Sequence, residues 1–193
     1  MLETFNNYIH SYKNNFLSKD NLKIIGKHFS NEVINFAESN IDDFTFYSST
    51  FRNSTLTNIN WINGNFFSIF VQECFFENCI FNKTDFNKME CKKSIFKNCF
   101  FINCDLSDSN FREVTFDQCQ FQGFEEGALG ETLFESCDFI KTIFNGFSSA
   151  QLGSASIINS IFSNSNQSIK FQGTFYLMDI LEHVNIMLLE KNF

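Results

Sequence analysis

Every fifth residue from Phe36 to Phe121 is apolar, without exception, through 18 consecutive positions. They are Phe36, Ile41, Phe46, Phe51, Leu56, Trp61, Phe66, Val71, Phe76, Phe81, Phe86, Cys91, Phe96, Phe101, Leu106, Phe111, Phe116 and Phe121. At a hydrophobic content of 44%, chance would do this with a probability of roughly 0.44 to the eighteenth power, about four in ten million, so the chain carries a true internal repeat. A period of five fits neither an isolated helix nor a strand that alternates faces every second residue. It demands a backbone that turns a corner every five residues and stacks on itself. That geometry is a solenoid.

A second column runs two residues ahead of the first. It prefers small side chains, among them Ser49, Ser54, Gly64, Cys74, Cys79, Thr84, Ser94, Cys99, Cys104, Ser109 and Cys119. Larger residues at this position (Ile34, Phe44, Ile59, Ile69, Met89) are the minority. A large centre with a small partner two positions earlier puts both on the inward side of one short strand. The remaining positions hold Asn, Asp, Thr, Lys, Glu, Gln and Ser, as corners and solvent-facing sites should. Stretches such as Cys79-Ile80-Phe81-Asn82-Lys83 and Cys104-Asp105-Leu106-Ser107-Asp108 resemble the pentapeptide-repeat family. The resemblance implies an all-β solenoid, a right-handed quadrilateral parallel β-helix with four pentapeptides in each coil.

The repeat breaks after Phe121 and resumes at Phe134, Phe139 and Phe144. The spacing predicts eight extra residues near Gln122 to Glu131, a Gly- and Glu-rich stretch suited to a solvated loop. Leu152, Ile157 and Phe162 then hold the period in a shifted phase. This divides the chain into an N-terminal cap (1–33), an uninterrupted repeat (34–121), an inserted loop (122–131), further coils (132–165) and a C-terminal segment (166–193). From Phe36 to Phe162 there is room for about six coils, a column near 30 Å tall.

Both open ends of such a column need covering. Leu2, Phe5, Ile9, Tyr12 and Phe16 share one helical face, which predicts a helical N-terminal cap. Tyr176, Ile180, Leu181, Val184, Met187 and Leu188 predict an amphipathic helix over about 175–190. Two readings of that helix stand side by side, a cap for the last coil and a homodimer contact.

Residues twenty apart stack directly, at roughly the 4.8 Å strand spacing. Glu73, Lys93 and Glu113 then share one outward column, Glu77, Lys97 and Asp117 another, and Asn58, Asn78 and Asn98 a third. Six of the seven Cys fall in the small inward column, and Cys91 is a centre. This usage reads as reduced thiols acting as small hydrophobes in a cytoplasmic protein. No CxxC spacing exists, and His10, His28 and His183 lie outside the repeat, so no metal or cofactor is expected. No apolar run is long enough to span a membrane.

Several outward positions are apolar: Phe75 stacks with Ile95 and Ile80 with Phe100, while Ile62, Ile102, Phe67 and Phe70 also point out. A patch of that extent is a partner surface, unless the N-terminal helix folds back over it.

No residue constellation supports catalysis: no His pairs with a nucleophile, and the carboxylates sit on solvated turns. The leading expectation is a non-catalytic scaffold that binds a protein partner through its faces, its loop (Glu125, Glu126) or its end helix. The alternative follows from the resemblance, since gyrase-protecting members of the family are acidic rods proposed to imitate duplex DNA. The net charge of −8 is similar. Against it, residues 36–121 carry 11 acidic and 7 basic side chains, and Lys83, Lys88, Lys92, Lys93 and Lys97 ring one coil. The same negative balance disfavours direct nucleic-acid binding.

Overall fold

The computed structural model describes Thr4, Phe5, Asn7, residues 23–123, 128–129 and 131–145, with the side chains of 23 and 36–40 excepted. Beyond these it describes the backbone of strands Gln151–Gly153, Ser156–Ile158, Ile161–Ser163, Lys170–Gln172, Tyr176–Met178 and Met187–Leu188. The chain is a four-sided parallel β-solenoid. Side I stacks nine parallel strands, from His28–Ser30 through Thr50–Arg52, Phe70–Gln72, Glu90–Lys92 and Asn110–Arg112 to Met187–Leu188. Sides II and III belong to one larger sheet, because the strands Val33–Asp42 and Thr55–Ile62 run continuously around the corner between them. Between Phe36 and Phe162, side I holds six strands, as the spacing predicts.

Each five-residue unit works the same way. The centre points inward and is buried, as for Phe76, Phe81, Phe86, Phe96, Phe101 and Phe116. Two residues later the backbone enters the left-handed region, with φ between 47° and 59° at positions such as Asn53, Asn78, Lys83, Lys93 and Asn98. That conformation makes the corner, and Asn tolerates it best among non-glycine residues. It also excludes proline, whose φ is fixed at the opposite sign, from every corner.

The centres stack as rings. Phe76, Phe96, Phe116 and Phe139 form one file on side II, with centroids 4.6, 5.2 and 5.1 Å apart and rings within 9° of parallel. Neighbouring files meet edge to face, as Phe96 does with Phe101 at 5.5 Å and 64°. On side I the file shrinks to Val71 and Cys91. There the position two residues earlier enlarges, to Ile69 and Met89, both buried. At Ile69 and Met89 the large residue in the small column is thus volume compensation.

Small inward residues also stitch the coils together. The Cys79 Sγ donates to Leu56 O at 3.4 Å, Cys119 to Phe96 O at 3.2 Å, and Ser109 Oγ to Phe86 O at 2.7 Å. Cysteine therefore serves as a donor as well as a small hydrophobe. All seven Cys are free and buried.

Side IV is built differently. Its centres are Phe46, Phe66, Phe86, Leu106 and Leu129, but only isolated bridges join Thr45, Asn65, Asp85 and Asp105. A side-chain oxygen takes the place of strand pairing: Asn65 Oδ1 accepts from Phe67 N–H at 3.0 Å, Asp85 Oδ1 from Asn87 N–H at 2.8 Å, and Asp105 Oδ1 from Ser107 N–H at 2.9 Å.

Four expectations need correction. The strand pairing aligns Ile34, not Phe36, with the centre Leu56, and the register slips between Asn35 and Ser39. Below that slip the frame is Ile24, Phe29 and Ile34, so the five-residue spacing of Phe36 from Ile41 is not the solenoid frame. A strand of the column is therefore already present at Lys23–Ile25, inside the segment expected to be a helical cap. The insertion after Phe121 is three residues per coil, not eight, because Phe111 pairs with Phe134 and Phe121 with Phe144, 23 residues on. Leu129 fills the side IV centre, and the break hides it by placing it eight residues after Phe121. Finally, Tyr176–Met178 and Met187–Leu188 are strands that pair with Ser156–Ile158 and Lys170–Phe171, not parts of a helix over 175–190. Short strands with two adjacent apolar residues imitate a helical period there; Ile180, Leu181 and Val184 lie outside the described residues.

At the N-terminus, Phe5 and Asn7 are helical, and Thr4 caps the turn, with Asn7 N–H 3.1 Å from Thr4 O and 3.3 Å from its Oγ1. Phe5 is fully buried among Phe29, Phe44, Phe46, Phe51 and Trp61, where it plugs the end of the column. Leu2, Ile9, Tyr12 and Phe16 lie outside the described residues.

Candidate functional site

The outward columns put the expected apolar pairs in register. Phe75 pairs with Ile95 on side II, and Ile80 with Phe100 on side III. Ile95 and Phe100 are 43% and 39% exposed, and Ile143, two column-steps further along side III beyond Gln120, is also exposed. A hydrogen-bonded amide ladder separates the two apolar pairs at the corner. Asn98 Nδ2 donates to Asn78 Oδ1 at 3.3 Å, Asn78 to Asn58 at 3.2 Å, and Asn58 to Asn35 at 3.2 Å. Beside it a shallow groove is lined by Asn78, Ile80, Asn98, Phe100 and Gln118. The ridge is thus fixed on rigid strands, with a polar rail down its middle.

Phe67 and Phe70 do not join it. Phe70 lies on side I beneath Arg52 at 5.2 Å and Lys92 at 5.7 Å. Phe67 lies on side IV, stacked on Tyr47 at 5.3 Å and capped by Lys88 at 5.4 Å. Ile62 and Ile102 share a side III column but are separated by Asn82. Glu125 and Glu126 lie outside the described residues.

One ion pair borders the ridge. Lys97 Nζ sits 3.2 Å from Glu77, closing one expected ion ladder. Two further pairs were not legible as columns: Arg112 with Glu135 at 2.9 Å and Lys92 with Glu90 at 3.7 Å. On side IV, burial pushes the Asp85 carboxyl up from its ordinary value, opposed by its bond from Asn87 N–H and reinforced by Asp105. These carboxylates hold turns. Among the described residues, no group of three or more His, Cys, Asp or Glu is placed to hold a metal ion, and no helix is long and apolar enough to cross a membrane.

Comparison with known proteins agrees with the repeat. Residues 94–125 match the family model of pentapeptide repeats, which scores eight copies. No curated protein matches the chain. Among solved structures it is similar to full-length QnrB1, a plasmid-mediated fluoroquinolone resistance protein: 13% identical, covering 82% of this chain and 93% of that one, TM-score 0.34. It is also similar to HetL, a pentapeptide repeat protein involved in heterocyst differentiation regulation from the cyanobacterium Nostoc sp. strain PCC 7120 (9% identical, 92% and 94% covered, TM-score 0.27). A third is the pentapeptide repeat protein Rfr23 from the cyanobacterium Cyanothece 51142 (9% identical, 86% and 93% covered, TM-score 0.26).

Proposed function

We propose that the column is a non-catalytic scaffold whose outer sides II and III bind another protein. The observation that supports this is the in-register ridge of half-buried Phe75 and Ile80 and exposed Ile95 and Phe100, set on rigid strands and bordered by amides and an ion pair. Apolar rings at the centre with a polar rim are the ordinary anatomy of a protein interface. Phe100 is the anchor of this reading, since an aromatic ring standing on a strand loses little freedom on docking. Capture with the intact chain, set beside Phe100→Asp and Ile80→Ser variants, tests it. A partner held by the parent chain and lost by both variants is the expected result. A partner held equally well by all three would place docking elsewhere and overturn this assignment.

Imitation of DNA before gyrase is the second reading, favoured by the net charge of −8. Part of the acidity is already engaged: Glu77, Glu90 and Glu135 are paired, and Asp85 and Asp105 hold turns. A supercoiling assay with and without ciprofloxacin separates the two. Inhibition or protection by the folded protein would favour mimicry, and no effect would remove it.

A further inference from the structure

The two coils that carry the ridge are not copies of each other on side II. In the first, the outward residues are Glu73, Phe75, Glu77 and Asn78; in the second, the same columns hold Lys93, Ile95, Lys97 and Asn98. Every acid in one coil has a base above it in the next. We propose that side II docks antiparallel on side II of a second copy of this chain, about a two-fold axis lying in the interface and crossing the column between these coils. The proposal rests on the reading of the outer sides as docking surfaces, and it names the partner for one of them.

The symmetry carries the argument. Such an axis sets each residue of one coil opposite the same column of the neighbouring coil in the other copy. Phe75 meets the second copy's Ile95, Glu77 its Lys97, Glu73 its Lys93 and Asn78 its Asn98. One coil further out, Thr55 meets Thr115 and Thr57 meets Asp117. Over these four coils apolar faces apolar, acid faces base, and no like charges meet; the next coils out would set Val33 against Asp138 and Asn35 against Ile140, so the contact is confined to the four. The in-chain pair of Glu77 and Lys97, 3.2 Å apart, joins its symmetry mate in a ring of four alternating charges.

An axis along the column would instead set Phe75 against Glu77 and Ile95 against Lys97. No other side has the property under the same operation. Side I would set Phe70 against Glu90, side III Asn82 against Ile102, and side IV Asp85 against Asp105.

Side II is about 10 Å wide and, over these four coils, about 19 Å tall, so each copy contributes roughly 200 Å² and the pairing is a weak, transient one. Sedimentation equilibrium tests the pairing with E77K and K97E, both exposed changes on the outer surface. Each variant alone places like charges together twice and should weaken dimerisation at least about tenfold. Their equimolar mixture restores both opposite-charge contacts across the interface, so it should dimerise as the parent does. Recovery in the mixture is a signature that loss of the in-chain pair cannot produce. A parent chain that stays monomeric at about 1 mM, a dimer indifferent to the single changes, or a mixture that stays monomeric would each overturn the proposal. A monomeric chain that still captured a different protein through Phe100 would overturn this pairing and leave the scaffold reading standing. A dimer with the mixing signature but no such capture would support the pairing alone.

Discussion

The ring of Phe101 lies flat on that of Phe121 in the next coil, 4.7 Å between centroids and 5° from parallel. On its other face it meets Phe81 at 5.1 Å and 21°. A centre on side III therefore has a ring above, a ring below and edge-on rings from sides II and IV. Removing it leaves a hole that strands held in register cannot close. Phe101→Ala should destabilise the protein by about 3–5 kcal/mol, and Phe101→Leu by clearly less, read as a drop in urea midpoint.

Lys83 holds a corner at φ 53° with its side chain exposed. A lysine gains nothing from that conformation, whereas Asn and Gly accept it readily. Lys83→Gly should raise stability by roughly 0.5–1 kcal/mol, and Lys83→Val should lower it by at least as much. Thermal melts of the two variants beside the parent check the sign of each change.

The five-residue period made the column and its inward residues legible, because a centre must be apolar on every coil whatever its neighbours do. Stacking by twenty then placed Phe75 on Ile95 and Ile80 on Phe100, since strand register follows from coil length alone. Where coil length changes, that logic fails. At the first coil Ile34 and Phe36 are both apolar, so the letters cannot say which is the centre, and the two-residue slip decides it. Leu129 is a centre whose five-residue neighbour upstream is Phe124, outside the unbroken run, so spacing overstated the insertion. The covering of Phe70 by Arg52 and Lys92 depends on where long side chains lie, which no period encodes.

Gly123 opens the insertion at φ +70°, and a Cβ there would overlap Asn103 Oδ1 on the coil below. The conformation disfavours a side chain, and the Asn103 amide would have to shift to admit one. Gly123→Ala should cost about 1–3 kcal/mol. Combining it with Asn103→Ala should recover the steric part and leave the conformational part, so the double variant should melt between the two extremes.

Burial pushes the thiol of Cys74 up to about 11 and those of Cys104 and Cys137 to about 12, from an ordinary 9.0. Cys91 and Cys99 are raised by burial as well, and Cys79 by its neighbour Cys99 and then by burial. In the unfolded chain these thiols ionise near pH 9, while in the column they stay neutral. A folded value above the unfolded one contributes stability that is complete below pH 9 and is lost as pH rises towards 11 and 12. The folded protein should therefore be inert to a thiol reagent at pH 8, labelling only at its unfolding rate. Between pH 9 and 11 its stability should fall steeply. Replacing Cys104 and Cys137 together with Ala should flatten that fall by about 2.7 kcal/mol per pH unit, two protons' worth, measured by urea titration at each pH. An unchanged slope would mean that these two thiols already ionise in the folded column, and that burial does not hold them neutral.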